Sequence, residues 1–391
     1  MVAPEPFYVD RGTPICVRQV VEALVELGYE VDLLTYPLGE EVHLPGVRVH
    51  RSSNPLRLSQ VPIGFSIRKL LLDCTLVFRL RSLMRDGRYR VVHALEESAF
   101  AAAYWGPRYG VRVIYDMHSS LAEQMGALPP FQNRMSRAIF RRAERWLLER
   151  VTQVVSSSGL AARVRSMAPR ARALEWRFSS EPILPGTEEV AALRASLALS
   201  PGQRIVLYSG TFERYQGLNL LLKAIARVQE TNPEAVFVLI GVDGERASAR
   251  IQRLAEGIPG DRLRLIKRQP RRSMPAWLAL ADLLVSPRLF GGNLPLKIFD
   301  YMAAGRPIIA TDIPSHRSVL TEERALLVSP RVEALAEAIS DLLGDPERAG
   351  RLATLAQSYA REHLGWSRFV TSVQQLYSTA DPQERDPVRN A

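Results

Sequence analysis

Apolar residues along the chain follow two alternating rhythms. Compact aliphatic runs at 30–35, 47–51, 91–94, 111–115 and 151–156 have the composition of buried parallel strands, and glycine or polar residues follow them. Between them apolar residues recur every third or fourth position, as at 15–27, where Val17, Val20, Val21, Leu24 and Leu27 share a helical face. The rhythm restarts in the second half, with strands at 205–209, 237–241, 263–266, 283–285, 307–310 and 325–328. Helical spacing there marks 218–229, 296–304, 331–343, 347–363 and 366–377. Strand and helix alternating in this way, twice over, predict an α/β chain of two doubly wound parallel-sheet, Rossmann-like domains. The polar, proline-bearing residues near 182–186 set the boundary, giving domains 1–184 and 185–365, with helix 366–377 returning to complete the first. The tail, 380–391, has little to bury and is expected to be disordered. The opening MVAPEPF looks like the end of a strand, so either the first strand is very short or the recorded start omits several residues.

Two helical stretches admit two readings each. Residues 65–84 form a long apolar face interrupted by Arg68, Lys69, Arg79 and Arg81. Residues 133–150 place Met135, Ile139, Ala143, Trp146 and Leu147 on one side, read as inward, and Arg134, Arg137, Arg141, Arg142 and Arg145 around the rest. Both could be core-packed helices with solvated basic edges. Both could also lie on an anionic membrane surface through 65–84 and 134–145, with Phe65, Leu72, Leu76 and Phe78 toward the acyl boundary.

Composition narrows the class without choosing a partner. Hydrophobic residues at 47% and charged residues at 24% are ordinary for a globular protein, and no apolar run approaches the length of a membrane span. No secretory signal pattern opens the chain, so a cytoplasmic location is expected, including the cytoplasmic face of a membrane. The net charge of +10 permits nucleic acid, anionic lipid or phosphate-rich substrates. Cys16 and Cys74 sit in apolar surroundings and read as buried thiols.

Candidate chemistry lies at strand ends. His93, Glu97 and His118 follow neighbouring strands and form one expected cluster; Gly12 lies where the first strand hands over to a helix. In the second half, the loop Phe290–Gly291–Gly292–Asn293 runs directly onto a helix that Gly305 ends. Free backbone N–H groups at such a helix start make an anion site, and glycines let a ligand approach the main chain. Lysine occurs only at 69, 223, 267 and 297, so Lys297 in this loop reads as a residue with a task.

Pro287, Gly291, Asn293, Pro295, Leu296, Lys297, Asp300, Gly305 and Pro307 together resemble the donor-site segment of the retaining, metal-independent, two-domain glycosyltransferases of GT-B, family 4-like type. The resemblance spans 205–328 and reaches 9–35 and 91–160. It implies two domains facing a central cleft, an acceptor-side domain at 1–184 and a nucleotide-sugar domain at 185–365. It implies transfer of a hexosyl or N-acetylhexosaminyl group from a UDP-sugar or GDP-sugar to a carbohydrate or lipid-linked acceptor in cell-envelope glycan biosynthesis, with no cofactor, no metal and no nucleic acid partner. Carried over residue by residue, it puts His118 near the sugar or reacting centre and Gly12 between donor and acceptor. It puts Gly210 and Gly241 in the donor loops, and Lys267 and Arg268 beside the base. The donor also meets Gly291, Gly292, Asn293, Leu294, Pro295 and Leu296, with Lys297 on the diphosphate and Asp300 on the ribose.

The chain departs from the family at three points. Gly292 replaces the first of two family glutamates, so backbone N–H groups of 292–297 inherit its contact with the sugar. Thr211 and Gln216 replace two basic loop residues, and Arg214 is the substitute for their charge. Other readings are a nucleotide-sugar epimerase or hydrolase, or a scaffold with weakened catalysis. A nucleic-acid-binding protein is the remotest, since the arginines have no interleaved aromatics or reading module.

Overall fold

The structure, a computed structural model, describes residues 1–9, 12–59, 61, 66–126, 131–180, 185–242, 245–290 and 295–380, without the side chains of 158, 242, 245–249 and 380. The expected boundary at 184 and the tail from 381 lie outside these residues, as do Phe65, Gly291, Gly292, Asn293 and Leu294. The chain forms two compact units, Met1–Phe178 with the residues from Ser367 onward, and Ser179–Trp366.

The first unit runs β1 (Val2–Ala3), α1 (Gly12–Glu26), β2 (Val31–Thr35), β3 (Val47–Arg51), α2 (Ile67–Arg85), β4 (Val91–Leu95), α3 (Ser98–Trp105), β5 (Arg112–Met117), α4 (Leu121–Gly126), α5 (Arg134–Leu148), β6 (Gln153–Ser156), α6 (Ser158–Met167) and β7 (Ala173–Glu175). Its strands lie in the order β3-β2-β1-β4-β5-β6-β7, all parallel. The second runs α7 (Thr187–Ser196), β8 (Arg204–Ser209), α8 (Leu218–Thr231), β9 (Ala235–Val242), α9 (Glu245–Leu254), β10 (Leu263–Lys267), α10 (Met274–Leu280), β11 (Leu283–Ser286), α11 (Lys297–Ala303), β12 (Ile308–Thr311), α12 (Pro314–Arg317), β13 (Leu326–Val328), α13 (Val332–Gly344) and α14 (Pro346–His363). Its sheet is also parallel, ordered β10-β9-β8-β11-β12-β13. The last helix, α15 (Trp366–Ala380), packs on the first unit, where Phe369 meets Trp176 and Tyr377 meets His93.

These sheets explain the aliphatic runs. A parallel strand covered by helices is buried on both faces, so β8, β9 and β11 read as continuous apolar sequence rather than alternating. Strand order reverses between β1 and β4 in the first sheet and between β8 and β11 in the second. The loops leaving these strands diverge to opposite faces, which opens a crevice at their carboxyl ends where such folds bind ligands.

Three expectations need correction. Cys74 is exposed, because the buried face of α2 is set by Leu72, Leu76, Leu80 and Leu83, and position 74 points away from it. Met135 and Ile139 are 73% and 58% exposed rather than inward; α5 meets the core through Glu144, Leu147 and Leu148 at its far end. Neither reading of α2 holds alone: Leu72 and Leu76 are buried, while Ile67, Leu70, Leu71 and Phe78 are exposed.

Candidate functional site

At the switch point of the second sheet, Lys297 opens α11 and reaches back over the end of β8. Its Nζ donates to Gln216 Oε1 at 3.0 Å and lies 4.0 Å from the centre of the Tyr208 ring. Gly210 makes this reach feasible: a β-carbon there would stand 2.8 Å from Nζ, and its φ of +142° suits no other residue. Gly241 has the same function one strand over, since a β-carbon would lie 2.0 Å from the Gly210 carbonyl oxygen.

Neither contact partner of Lys297 carries negative charge. Burial, and secondarily the nearby Arg288 guanidinium, hold its pKa well below the usual lysine range. Arg288 is itself buried, donates from Nε to the Phe290 carbonyl at 2.9 Å and lies 5.2 Å from the Tyr215 ring centre. His316 ties the ends of β11 and β12 together, with Nε2 3.0 Å from Ser286 Oγ and Nδ1 2.7 Å from the Thr311 carbonyl. Burial pushes it down to about 4, against the Thr311 carbonyl, so it is a neutral ring with Nδ1–H donating to that carbonyl and Nε2 accepting from the serine.

The other expected donor residues are spread around this centre. Asp300, half-buried on α11, accepts from Ser180 Oγ at 2.7 Å and from Arg271 at 3.4 Å. Pro295 is buried and Leu296 packs against the core. Lys267 is exposed at the end of β10, with Arg268 half-buried beside it. Arg214 is exposed and lines a surface groove of about 340 Å³ with Asn219, Arg250, Arg253 and Leu254.

The first sheet's switch point carries a different constellation. Gly12 starts α1 just after β1, and Glu96 follows β4 with φ +46°, an unusual conformation for a residue bearing a side chain. Asp116, inside β5 and 1% exposed, joins two histidines: Oδ1 is 3.1 Å from His118 Nε2 and Oδ2 is 3.4 Å from His93 Nε2. Glu96 accepts from Ser119 Oγ at 2.9 Å. Glu97 instead pairs with Lys69 of α2. The structure therefore joins His93 to His118 through Asp116 and turns Glu97 to another neighbour.

Burial opposes charge on His118, but Asp116 foremost, with Glu96 and Glu5, outweighs it and pushes the ring up to about 9. Asp116, despite its burial, is held down at about 2 by the two histidines. His93 is lowered by burial and stays neutral, and burial pushes Glu96 up to about 7. His118 thus stands as a cation beside an ionised Asp116.

The sequence reading passed over Asp116, Glu96 and Arg288. For Asp116 the signal was the alternation Asp116-Met117-His118, which puts both polar residues on one side of an extended chain. For Glu96 and Arg288 no local signal existed. Among the described residues no group of three or more His, Cys, Asp or Glu could hold a metal ion.

The family described as glycosyl transferase 4-like domain matches residues 11–176, and that described as glycosyl transferases group 1 matches 203–345. The chain belongs to these glycosyltransferases. This glycosyltransferase is similar to a phosphatidyl-myo-inositol mannosyltransferase of Mycobacterium leprae, 24% identical over 97% of the chain and 96% of the relative. Among solved structures, the sucrose-phosphate synthase of Thermosynechococcus elongatus matches with a TM-score of 0.78 and 24% identity, over 94% of this chain and 93% of that one. Anabaena HepE, solved in complex with UDP-glucose, matches with a TM-score of 0.76 and 14% identity, over 97% and 99%. The two solved structures share the fold of this chain.

Proposed function

We propose that this glycosyltransferase moves a hexosyl or N-acetylhexosaminyl group from a UDP-sugar or GDP-sugar to an acceptor hydroxyl with retention of configuration. The second unit holds the donor, through the backbone of 292–297, Lys297 on the diphosphate and Asp300 on the ribose. Lys297 is the observation that carries this reading. A lysine held beside an arginine, with only neutral contacts of its own, is short of negative charge, and a diphosphate supplies it. Lys297 and Arg288 then stabilise the departing nucleotide, the task a metal ion performs in other transferases. In the first unit the His118 cation meets the hydroxyls of the transferred sugar.

The acceptor we propose is lipid-linked, reached from the cytoplasmic face of a membrane. Exposed Ile67, Leu70, Leu71 and Phe78 on α2, with Met135 and Ile139 on the arginine-rich α5, support a peripheral hold on anionic lipid. The phosphatidyl-inositol acceptor in the name of the Mycobacterium leprae relative supports the same class. No helix among the described residues is long and apolar enough to cross a membrane.

Calorimetric titration with UDP and GDP tests the donor assignment. Lys297→Ala should weaken the preferred nucleotide by roughly tenfold to a hundredfold, as for loss of one charge-assisted contact to a shielded anion. Unchanged affinity would remove Lys297 from the diphosphate.

A further inference from the structure

His93 and Tyr377 have no task in this scheme, yet both are buried and both are polar. They are joined: Tyr377 Oη lies 2.9 Å from His93 Nδ1. With the contacts of Asp116, this completes a line from the C-terminal helix to His118, namely Tyr377, His93, Asp116, His118, with separations of 2.9, 3.4 and 3.1 Å. Neither Asp116 oxygen makes a well-aligned hydrogen bond among the described residues, so its close pairing with the two imidazoles is what settles how the carboxylate is turned.

The proton positions follow from the chemistry of each atom. An ionised carboxylate only accepts, so the nitrogens facing it, His118 Nε2 and His93 Nε2, carry hydrogen. A neutral His93 protonated at Nε2 has a bare Nδ1, which accepts the Tyr377 O–H. His118, charged, then carries its second proton on Nδ1, the nitrogen turned away from Asp116. The same helix clamps the site a second way: Phe369, two turns before Tyr377, packs on Trp176 and Phe178, while Trp176 stacks on His93 at 5.7 Å and Phe178 meets His118 edge-on at 6.1 Å.

We propose that Tyr377, His93 and Asp116 are positioning residues that hold His118 with Nε2 inward and Nδ1–H presented to the sugar, making the C-terminal helix a working part of the first unit's site. This rests on the reading that His118 meets the transferred sugar. Without the Tyr377 hydroxyl, His93 loses the partner that keeps Nδ1 bare. Its other tautomer turns a lone pair onto the Asp116 carboxylate, which must rotate, and His118 loses its seat. The charged and titratable groups facing this line are Glu96 at the end of β4, Tyr115 of β5, Glu5 and the Met1 amino group from the N-terminal segment, and Tyr29 beside Tyr377.

The test uses the full chain and two readouts. Nitrogen-15 shifts of the histidine side chains, six in the chain, report tautomer and charge without any substrate, with His93 and His118 assigned by substitution. Release of nucleotide from UDP-glucose or GDP-mannose reports turnover. In the parent, His93 should be protonated at Nε2; in Tyr377→Phe the tautomers should mix. In that variant kcat should fall about tenfold, one hydrogen bond's worth, with KM for the donor within about twofold. The alkaline limb of its pH profile should move to lower pH, and His93→Gln, which keeps a donor toward Asp116, should retain more activity than His93→Leu. A parent His93 protonated at Nδ1 overturns the proposal by itself. So does a Tyr377→Phe variant that melts earlier but keeps tautomer, kcat and pH limb, since a packing role predicts that pattern. His118→Ala separates the two levels: full turnover in it removes the reading that His118 meets the sugar, whereas a dead His118→Ala beside a silent Tyr377→Phe removes the positioning line alone.

Discussion

The two switch points share a topology and differ in charge. Where β4 and β5 end, carboxylates gather, Glu96 and Asp116, and they make His118 a cation. Where β8 and β11 end, cations gather, Lys297 and Arg288, and His316 beside them is held neutral. One parallel-sheet frame can therefore serve two kinds of ligand group. The fold supplies the crevice, and the residues just past the strands decide whether a sugar hydroxyl or a phosphate is welcome there.

The sharpest way to break this contrast is through pH, because the two histidines should act in opposite directions. His316 has a folded pKa of about 4, below its unfolded value, so the unfolded chain binds the extra proton in acid. Its contribution is full above roughly pH 6.5 and is lost as pH falls through about 4, on the order of 3 kcal/mol. His118 has a folded pKa of about 9, so its contribution is full below roughly pH 6.5 and is lost as pH rises through about 9. Glu96, raised to about 7, loses its contribution earlier, as pH rises from roughly 4.5 through about 7. Hydrogen exchange by mass spectrometry at pH 4.5, 6.5 and 9.5 should show the second unit loosening in acid and the first in alkali. His316→Asn should flatten only the acid response and His118→Gln only the alkaline one. Both units responding alike would mean the two histidines do not differ in charge.

This contrast was only half visible in the sequence. Strands buried on both faces announce themselves as aliphatic runs, so the doubly wound architecture was legible. The helix Lys297–Ala303 and the strand Ile308–Thr311 were legible as well, because their spacing is local. What escaped depends on contacts distant in sequence or on backbone angles. Glu96 and Glu97 are equivalent on paper, and a φ of +46° turns the first into the site while the second pairs with Lys69. Gln216 looked like a lost cation, yet it receives the ammonium of Lys297 from 81 residues away. Helical spacing grouped Met135 and Ile139 with Leu147, but spacing shows which residues share a side, not how much of a helix its neighbours cover.

A second, smaller effect should appear on ligand binding. Burial and Arg288 lower the pKa of Lys297, and a diphosphate beside it would raise it again. Binding of UDP should therefore take up a proton at alkaline pH, and affinity should fall by up to about tenfold per pH unit once Lys297 titrates in the free protein. Calorimetry in HEPES and in Tris should give different apparent enthalpies for the parent and matching ones for Lys297→Met. His118 is already charged, so the first unit should contribute no such uptake below about pH 9. Buffer-independent enthalpies from pH 7 to 10 in the parent would show that Lys297 keeps its proton without ligand.

The smallest effect concerns the outer surfaces, where the two units differ again. Of the large hydrophobic residues exposed among those described, Leu56, Ile67, Leu70, Leu71, Phe78, Tyr104, Met135, Ile139 and Leu174 belong to the first unit and only Leu254, Phe290 and Leu355 to the second. In the first unit they flank arginines: Arg134, Arg137, Arg141 and Arg142 are exposed along α5. Apolar side chains among basic ones suit the boundary between headgroups and acyl chains, and each arginine near an anionic leaflet adds roughly 1 kcal/mol that salt screens away. Vesicles of phosphatidylglycerol and phosphatidylcholine should therefore carry the protein down on sedimentation at low salt, with less bound at high salt and little on phosphatidylcholine alone. Replacing the four arginines with glutamate should abolish the salt-sensitive part, and Phe78→Ser should weaken what remains. Arg250→Glu with Arg253→Glu, in the second unit, changes the charge half as much, on a surface with few apolar neighbours, and should leave binding unchanged. Equal losses from both sets would mean that net charge, not the first unit's surface, draws the protein to lipid, and a parent that stays in the supernatant on anionic vesicles would point to a soluble acceptor.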